Sequence, residues 1–181
     1  MSKIKQLINN LCPDGVEFKE IESLCETCTP KLKVKKENYR DKGTYPVIDQ
    51  GQNFIGGYTD EEGAFDNGEY IIFGDHTCTL KFVNFAFVQG ADGIKILKAN
   101  EKIIIPKFLY YCMANVNVTS SYNRHWSKIK IIKIPVPPLE VQREIVRILD
   151  LFTNLTAELT AELTARKKQY EYYRDKLLNF G

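Results

Sequence analysis

The 181-residue chain contains only two histidines, one tryptophan and five unevenly spaced cysteines, and it has no long apolar run. Its most apolar stretches, residues 82–88 and 102–106, are far shorter than the roughly 20 residues that a membrane helix needs. Its first residues lack the apolar core of a secretory signal, and an odd cysteine count argues against a disulfide framework. We therefore expect a cytoplasmic protein with reduced thiols and no contact with membranes.

Motifs for catalysis are also missing. The chain has no G-x-x-x-x-G-K phosphate loop and no glycine-rich cofactor loop with a catalytic Asn- or Asp-Pro-Pro-aromatic motif. The acids of residues 13–19 are crowded into one turn, whereas two-metal nucleases need carboxylates from separate elements. The pair Cys25-x-x-Cys28 and the distant His76-x-Cys78 fit no common zinc framework. We expect a protein that is not an enzyme and that uses no cofactor and no metal.

The net charge of +2 is the sum of strongly segregated segments. Residues 41–75 contain eight acids and one base, whereas residues 102–139 contain six bases and no acid, and residues 31–40 contain five bases and one acid. Basic segments of this kind can bind a polyanion such as DNA. The alternative is that these lysines only protect exposed strand edges.

The pattern of the chain predicts an α+β fold with a β-rich domain followed by one long helix. Short strand-like runs at residues 45–48, 70–73, 80–88 and 93–97 are separated by glycine-containing turns, which is typical of β-rich domains. Residues 1–12 have apolar side chains at helical spacing, and Pro106 is well placed to open a helix over residues 106–115. We predict domains at residues 1–138 and 139–181.

Residues 140–179 contain neither glycine nor proline and predict a helix about 60 Å long. Apolar side chains recur at heptad spacing, with an extra four-residue step caused by tandem Thr-Ala-Glu-Leu repeats at residues 156–163. A helix of this length usually packs on a second helix, although it could also pack on its own domain. The expected dimer interface comprises Ile145, Ile148, Phe152, Leu155, Leu159, Leu163, Tyr170 and Leu177.

The motif Pro-x-Pro-Pro-Leu-x-x-Gln-x-x-Ile, which runs from Pro135 to Ile145, resembles the junction between a target-recognition domain and a conserved helix in DNA-specificity subunits of type I restriction-modification systems. Residues 13–18, 71–75 and 91–97 and the Thr-Ala-Glu-Leu repeats reinforce the resemblance, which covers essentially the whole chain. It implies a non-catalytic subunit that reads two short blocks of double-stranded DNA. It also implies partners, namely a DNA methyltransferase subunit and a motor-nuclease restriction subunit.

Family members typically have two recognition domains and two long helices, whereas this sequence has one of each. We therefore expect a homodimer through the long helix that reads a bipartite palindrome with an unread spacer. Each four-residue repeat would add about 6 Å to the helix, so repeat number would set spacer length. Two alternatives are a truncated half-subunit that pairs with a different half, and a coiled-coil adaptor that binds protein rather than DNA.

The strongest candidate for DNA reading is the segment of residues 120–133, which has four cations, the single tryptophan and no acid. Arginine and asparagine suit guanine and adenine edges, and aromatic rings can stack or pack on sugars. Trp126 could instead anchor the core, and the polar loops at residues 51–53 and 74–77 could be ordinary turns. The predicted DNA-binding residues are Lys33, Lys35, Lys36, Gln50, Asn53, His76, Lys81, Tyr122, Asn123, Arg124, His125, Trp126 and Lys128.

Overall fold

The computed structural model describes residues 3–116 and 125–180. In this part of the chain the helices are α1 (Lys3–Leu11), α2 (Ile21–Leu24), α3 (Pro106–Ala114), α4 (Trp126–Ile129) and α5 (Leu139–Leu178). The strands are β1 (Phe18–Glu20), β2 (Cys25–Cys28), β3 (Tyr45–Ile48), β4 (Gly57–Thr59), β5 (Tyr70–Gly74), β6 (Leu80–Val83), β7 (Val88–Gln89), β8 (Ile94–Ala99) and β9 (Lys133–Pro135), and a 3-10 turn covers Lys36–Asn38. The predicted α+β class is confirmed.

A four-stranded antiparallel sheet with the order β2-β8-β5-β6 forms the centre of the β-rich part. Its strand β5 is buried along its whole length, as expected for a central strand with apolar residues on both faces. A three-stranded sheet has the order β4-β3-β7, in which β3 pairs antiparallel with β4 and parallel with β7. A short antiparallel pair joins β1 to β9.

The predicted strand at residues 80–88 is split between the two larger sheets. β6 ends at Val83. The N–H of Ala86 then donates to the side-chain Oδ1 of Asn67 at 2.9 Å instead of to a neighbouring strand. The chain resumes pairing at Phe87, opposite Phe65, and continues as β7. A continuous apolar run therefore corresponds to two short strands, and the buried core lies where their sheets meet. That core comprises Ile48, Tyr70, Ile72, Val83, Phe87, Ile94 and Ile96.

The three predicted helices are confirmed as α1, α3 and α5. Where the structure describes a helix end, that end lies within two residues of the predicted one. Pro106 opens α3, where its missing N–H needs no partner, and Phe108, Leu109 and Met113 form the buried face. None of the helices in residues 3–116 and 125–180 combines the length and apolarity needed to cross a bilayer.

The chain divides into two compact units, Met1–Arg143 and Glu144–Gly181. The first unit contains both larger sheets and the first turn of α5, where Val141 and Gln142 are fully buried. The second unit consists of the rest of α5. Its apolar side chains from Phe152 onward are exposed along the helix.

Candidate nucleic-acid interface

Asp49, just beyond the end of β3, is held by contacts from three directions. The Tyr39 hydroxyl donates to Asp49 Oδ2 at 3.2 Å, and the N–H of Gly51 donates to Asp49 Oδ1 at 2.8 Å. Lys81 Nζ, from β6, donates to the carbonyl oxygen of Asp49 at 2.7 Å. The Tyr39 hydroxyl also accepts from the N–H of Ala91 at 3.0 Å, so a single tyrosine joins two loops.

Gln50 connects the end of β3 to two further loops. Its carbonyl oxygen accepts hydrogen bonds from the hydroxyls of Thr77 (2.9 Å) and Thr79 (2.7 Å), in the turn between β5 and β6. Its side-chain Nε2 donates to the carbonyl oxygen of Asp92 at 3.3 Å, in the turn between β7 and β8. Residues 49–54, 74–79 and 90–93 therefore form one assembly, which we call the loop cluster.

Glycine is required where these loops touch. Gly93 has a φ of +94°, and a Cβ there would lie 2.6 Å from Gln50 Nε2. A Cβ at Gly90 would collide with the Tyr39 hydroxyl, and one at Gly74 with the Thr77 hydroxyl. The close approach of backbone to side chain explains why the loops carry glycines in the sequence.

Lys33 borders the loop cluster. It forms an isolated parallel bridge with Gln89, and its ammonium lies 2.8 Å from Asp92 Oδ1. The hydrogen bond and the charge of Lys33 hold the pKa of the Asp92 carboxyl below its usual range. Both side chains remain more than half exposed, so the pair contributes little to stability. An open cavity of about 390 Å³ lies beside it and is lined by Lys33, Asp75, His76, Gln89, Asp92, Gly93, Ile94 and Lys95.

The structure brings several predicted DNA-binding residues together. Gln50, Asn53 and His76 belong to the loop cluster, and Lys33 borders it. Asn53 and His76 are exposed, whereas Gln50 is half-buried. Lys35, Lys36 and Lys128 are exposed on other segments of the same unit. The predicted residues Tyr122, Asn123 and Arg124 lie outside the described residues.

Lys81 has an internal role instead of facing solvent. Its side chain is only 4% exposed, and Nζ donates to the carbonyl oxygens of Asp49 (2.7 Å) and Asn53 (2.6 Å). Burial lowers the pKa of this ammonium, while the charge of Asp49, with Oδ1 at 3.8 Å, acts in the opposite direction. Lys81 therefore supports the loop of residues 49–54 from below.

His125 is buried and Trp126 is half-buried. His125 is 1% exposed, and its N–H donates to the carbonyl oxygen of Asp75 at 3.0 Å. The N–H of Trp126 donates to Asp75 Oδ1 at 2.8 Å, and its ring lies 6.0 Å from that of Phe73. These contacts attach the start of α4 to the loop cluster, and they leave the half-buried Trp126 ring in contact with Phe73 and partly open to solvent.

Sequence reasoning did not select Gln52 and Phe54 as site residues, although both are exposed at the tip of the first loop. Gln52 stands between Gly51 and Asn53, and this polar stretch after an apolar strand was the available signal. Among the described residues, the side-chain amides of Gln52 and Asn53 have no hydrogen-bond partner. The Phe54 ring packs edge-on against Phe85 at 6.1 Å and remains 46% exposed.

No group of three or more histidine, cysteine, aspartate or glutamate side chains within residues 3–116 and 125–180 could hold a metal ion. The five cysteines are free thiols. Cys25 and Cys28 lie on β2, where burial raises the pKa of the Cys25 thiol to about 12.

In the second unit, the predicted interface residues differ in exposure. Ile145 and Ile148 are half-buried, whereas the six from Phe152 to Leu177 are 47% to 70% exposed. Threonines of the repeats hydrogen-bond back along the helix: Thr156 to the carbonyl oxygen of Phe152 (2.8 Å) and Thr160 to that of Thr156 (2.7 Å). The threonine hydroxyls are therefore hydrogen-bonded within the helix, and the apolar side chains of the interface residues from Phe152 onward remain exposed.

The family model described as "Type I restriction modification DNA specificity domain" matches residues 13–166. The chain therefore belongs to this family, which confirms the resemblance seen in its motifs. The specificity subunit of the type I restriction enzyme EcoR124I/EcoR124II from Escherichia coli is 37% identical over 195 residues, covering 99% of this chain and 48% of that protein. That relative is named as a specificity subunit and not as a methyltransferase or nuclease.

Solved structures share the fold. The S subunit of a type I restriction-modification system from M. genitalium matches with a TM-score of 0.61 at 22% identity, covering 90% of this chain and 46% of that one. A chain from a study of complex assembly and conformational transition of the type I R-M system matches with a TM-score of 0.69 at 19% identity, covering 92% and 45%. The chain spans about half the length of the relatives that it matches.

Proposed function

We propose that this chain is a non-catalytic DNA-recognition subunit of a type I restriction-modification complex, and that its first unit reads double-stranded DNA through the loop cluster. The observation that carries the proposal is the convergence of three polar loops on the end of β3 in a member of this family. Exposed amide, imidazole and ammonium groups on a rigid support are what base-edge and phosphate contacts require.

The basic residues outside the loop cluster have a separate task in this proposal. Lys35, Lys36 and Lys128 are exposed, and they contact phosphates without reading sequence. Such contacts release counterions, so binding weakens steeply as the salt concentration rises. Arg124 is proposed to act with them on the basis of its charge and of its place in the acid-free segment.

We further propose that the second unit self-associates. The stripe of Phe152, Leu155, Leu159 and Leu163 is exposed and recurs at the spacing of a helix-packing seam. A second copy of the chain covers this stripe, and the two first units then read two identical half-sites in inverted orientation, separated by a spacer. A different half-subunit as the partner would give an asymmetric target.

The catalytic partners belong to the same proposal. A DNA methyltransferase subunit modifies adenines in the recognised sites, and a restriction subunit cleaves DNA. We place the docking of the methyltransferase at the proline-rich segment of residues 135–138 and the adjoining helix, because this is the segment that carries the family motif.

Selection from a randomised pool of DNA duplexes, with the full chain as bait, tests the proposal. We expect enrichment of one bipartite, palindromic sequence. An adaptor that binds protein through its β-rich unit would enrich no sequence, and this result would overturn the DNA-reading function. Mapping adenine methylation in cells that contain the chain and its methyltransferase gives an independent readout.

A further inference from the structure

The loop between β3 and β4 has a rigid base and an exposed tip. The N–H of Gly56 donates to the carbonyl oxygen of Val47 at 2.9 Å, which closes the loop across its base. Above this closure, Asp49 and Gln50 are tied to Tyr39, Thr77, Thr79 and Asp92 by the hydrogen bonds described above. Residues 52–54 are exposed.

Lys81 holds the tip to the sheet. Its ammonium donates to the carbonyl oxygens of Asp49 and Asn53, one on each side of Gly51 and Gln52, so the backbone of the loop curves around a single cation. The Lys81 side chain is only 4% exposed and two of its three N–H donors are used inside the protein, so it is poorly placed to contact a phosphate. Because Lys81 holds the main chain at Asn53, the exposed side chain of Asn53 projects from a backbone whose position is fixed.

The chemistry of the tip matches one kind of base pair. The amides of Gln52 and Asn53 each offer a donor and an acceptor, which is the complement of the adenine N6 and N7 atoms in the major groove. The Phe54 ring is held by Phe85 and remains partly exposed, and an aromatic edge is a suitable contact for the methyl group of thymine.

We infer that residues 52–54 form the element that reads A·T base pairs in the target, and that Lys81 is a positioning residue for this element and not a phosphate contact. The inference rests on the proposed DNA-reading function and specifies which side chains of the loop cluster carry the discrimination. A bidentate amide contact distinguishes its base from others by about 10-fold or more.

The test uses the full chain and a pool of randomised duplexes. We expect the wild-type chain to enrich a motif and the variants Gln52→Ala and Asn53→Ala each to lose about 10-fold discrimination at an A·T position of that motif. Gln6→Ala and Asn10→Ala, which remove exposed amides from α1, serve as matched controls and retain the motif. If the tip variants enrich the wild-type motif with unchanged discrimination, the inference is wrong while the DNA-reading function stands.

Failure of the proposed function gives a different result, because the wild-type chain itself would then enrich no motif. All four variants lie at exposed positions, so the folded state survives, and thermal unfolding checks this directly.

Lys81→Met tests the positioning role. We expect loss of discrimination at the same positions that Gln52→Ala and Asn53→Ala affect, faster hydrogen exchange at residues 51–54, and affinity for a duplex without the motif that stays within about twofold. Lys98→Met removes an exposed lysine from β8 and is the control. A phosphate contact at Lys81 predicts the reverse, namely uniform weakening on all duplexes and a salt slope smaller by about one.

If Lys81→Met does not fold, Tyr39→Phe replaces it, because this change keeps the ring and removes the hydroxyl that donates to Asp49 and accepts from the N–H of Ala91. It is expected to alter discrimination at the same positions. A Tyr39→Phe chain with the discrimination of the wild type and unchanged exchange at residues 51–54 would contradict the proposed support of the tip.

Discussion

The side-chain oxygen of Gln142 accepts a hydrogen bond from the N–H of Ile105 at 2.8 Å. The side-chain nitrogen of Gln142 donates to the carbonyl oxygens of Ile103 (3.0 Å) and Pro137 (2.8 Å). Gln142 is fully buried, so one amide joins the first turn of α5 to the segment before α3 and to the prolines. The glutamine of the Pro-x-Pro-Pro-Leu-x-x-Gln motif therefore has a structural role.

We predict that Gln142→Leu destabilises the first unit by about 2–4 kcal/mol, because it leaves a buried N–H and two carbonyl oxygens without partners. Urea unfolding followed by the fluorescence of Trp126 measures this loss. Gln6→Leu, at an exposed position of α1, is the control and is expected to change stability by less than about 0.5 kcal/mol. Equal stabilities of the two variants would show that the buried amide is dispensable.

The helices could be predicted from the sequence because their apolar spacing and their boundaries are local features. Pro106 opens α3, and the absence of glycine and proline from residues 140–179 favours the long helix α5. The parallel pairing of β3 with β7 could not be predicted, because the partners Val47 and Val88 are far apart in sequence. For the same reason the split of residues 80–88 between two sheets was missed.

The sequence indicated some residues of the loop cluster, but not which of the predicted residues are exposed and which support the loops. Charge and loop position indicated Asn53 and His76, which are exposed in the loop cluster. The same criteria also indicated Lys81. Its side chain is buried because it donates to the carbonyl oxygens of Asp49 and Asn53, and these residues are 32 and 28 positions away in the chain, so the contacts are not visible in the local sequence. Composition cannot distinguish a lysine that faces DNA from one that supports a loop.

Charge substitutions in the exposed stripe of α5 should separate the two copies. We predict that Leu159→Glu with Leu163→Glu gives a monomer in sedimentation equilibrium, since two charges cannot be buried in an apolar seam. Ala161→Glu, which lies on the opposite side of the helix, is the control and retains the dimer. A wild-type chain that sediments as a monomer would favour a different half-subunit as the partner.

Repeat number should set the distance between half-sites. Deleting residues 160–163 shortens α5 by about 6 Å, close to two base-pair steps of about 3.4 Å, so methylation mapping should find a spacer shorter by about two base pairs. Thr160→Ala with Thr164→Ala removes the hydroxyls without changing the length and should leave the spacer as it was. An unchanged spacer in the deletion variant would show that repeat number does not set spacer length.

Exposed lysines should act on affinity without altering the sequence that is read. Lys36→Ala and Lys128→Ala are each expected to reduce the salt slope of binding by about one and to weaken all duplexes alike. Arg124→Ala is expected to do the same. Lys98→Ala is the control, and the measurement is the dissociation constant across a series of salt concentrations. A loss confined to one motif position would mean that the residue reads a base.

The Cys25 thiol makes folding sensitive to alkaline pH. Burial is the larger cause of its raised pKa, from 9.0 to about 12, and the neighbouring Cys28 adds to it. The native state holds the proton of Cys25 more tightly than the unfolded state does. The protonated thiol therefore contributes to the free energy of unfolding in full below pH 9.0, and this stabilisation is lost as the pH rises toward about 12. Cys25→Ala should show a smaller decline in unfolding free energy over this interval, and an equal decline would exclude the thiol as the cause.

The separation of the loop cluster into a buried support and an exposed tip affects how target preference can change over generations. Substitutions at Gln52 and Asn53 remove little buried surface, so they cost the fold little. Changes at Lys81, Asp49 or Tyr39 disturb a shared network of hydrogen bonds. Under the proposed function, substitutions at the tip therefore change target preference at little cost to the fold, whereas substitutions in the support disturb both.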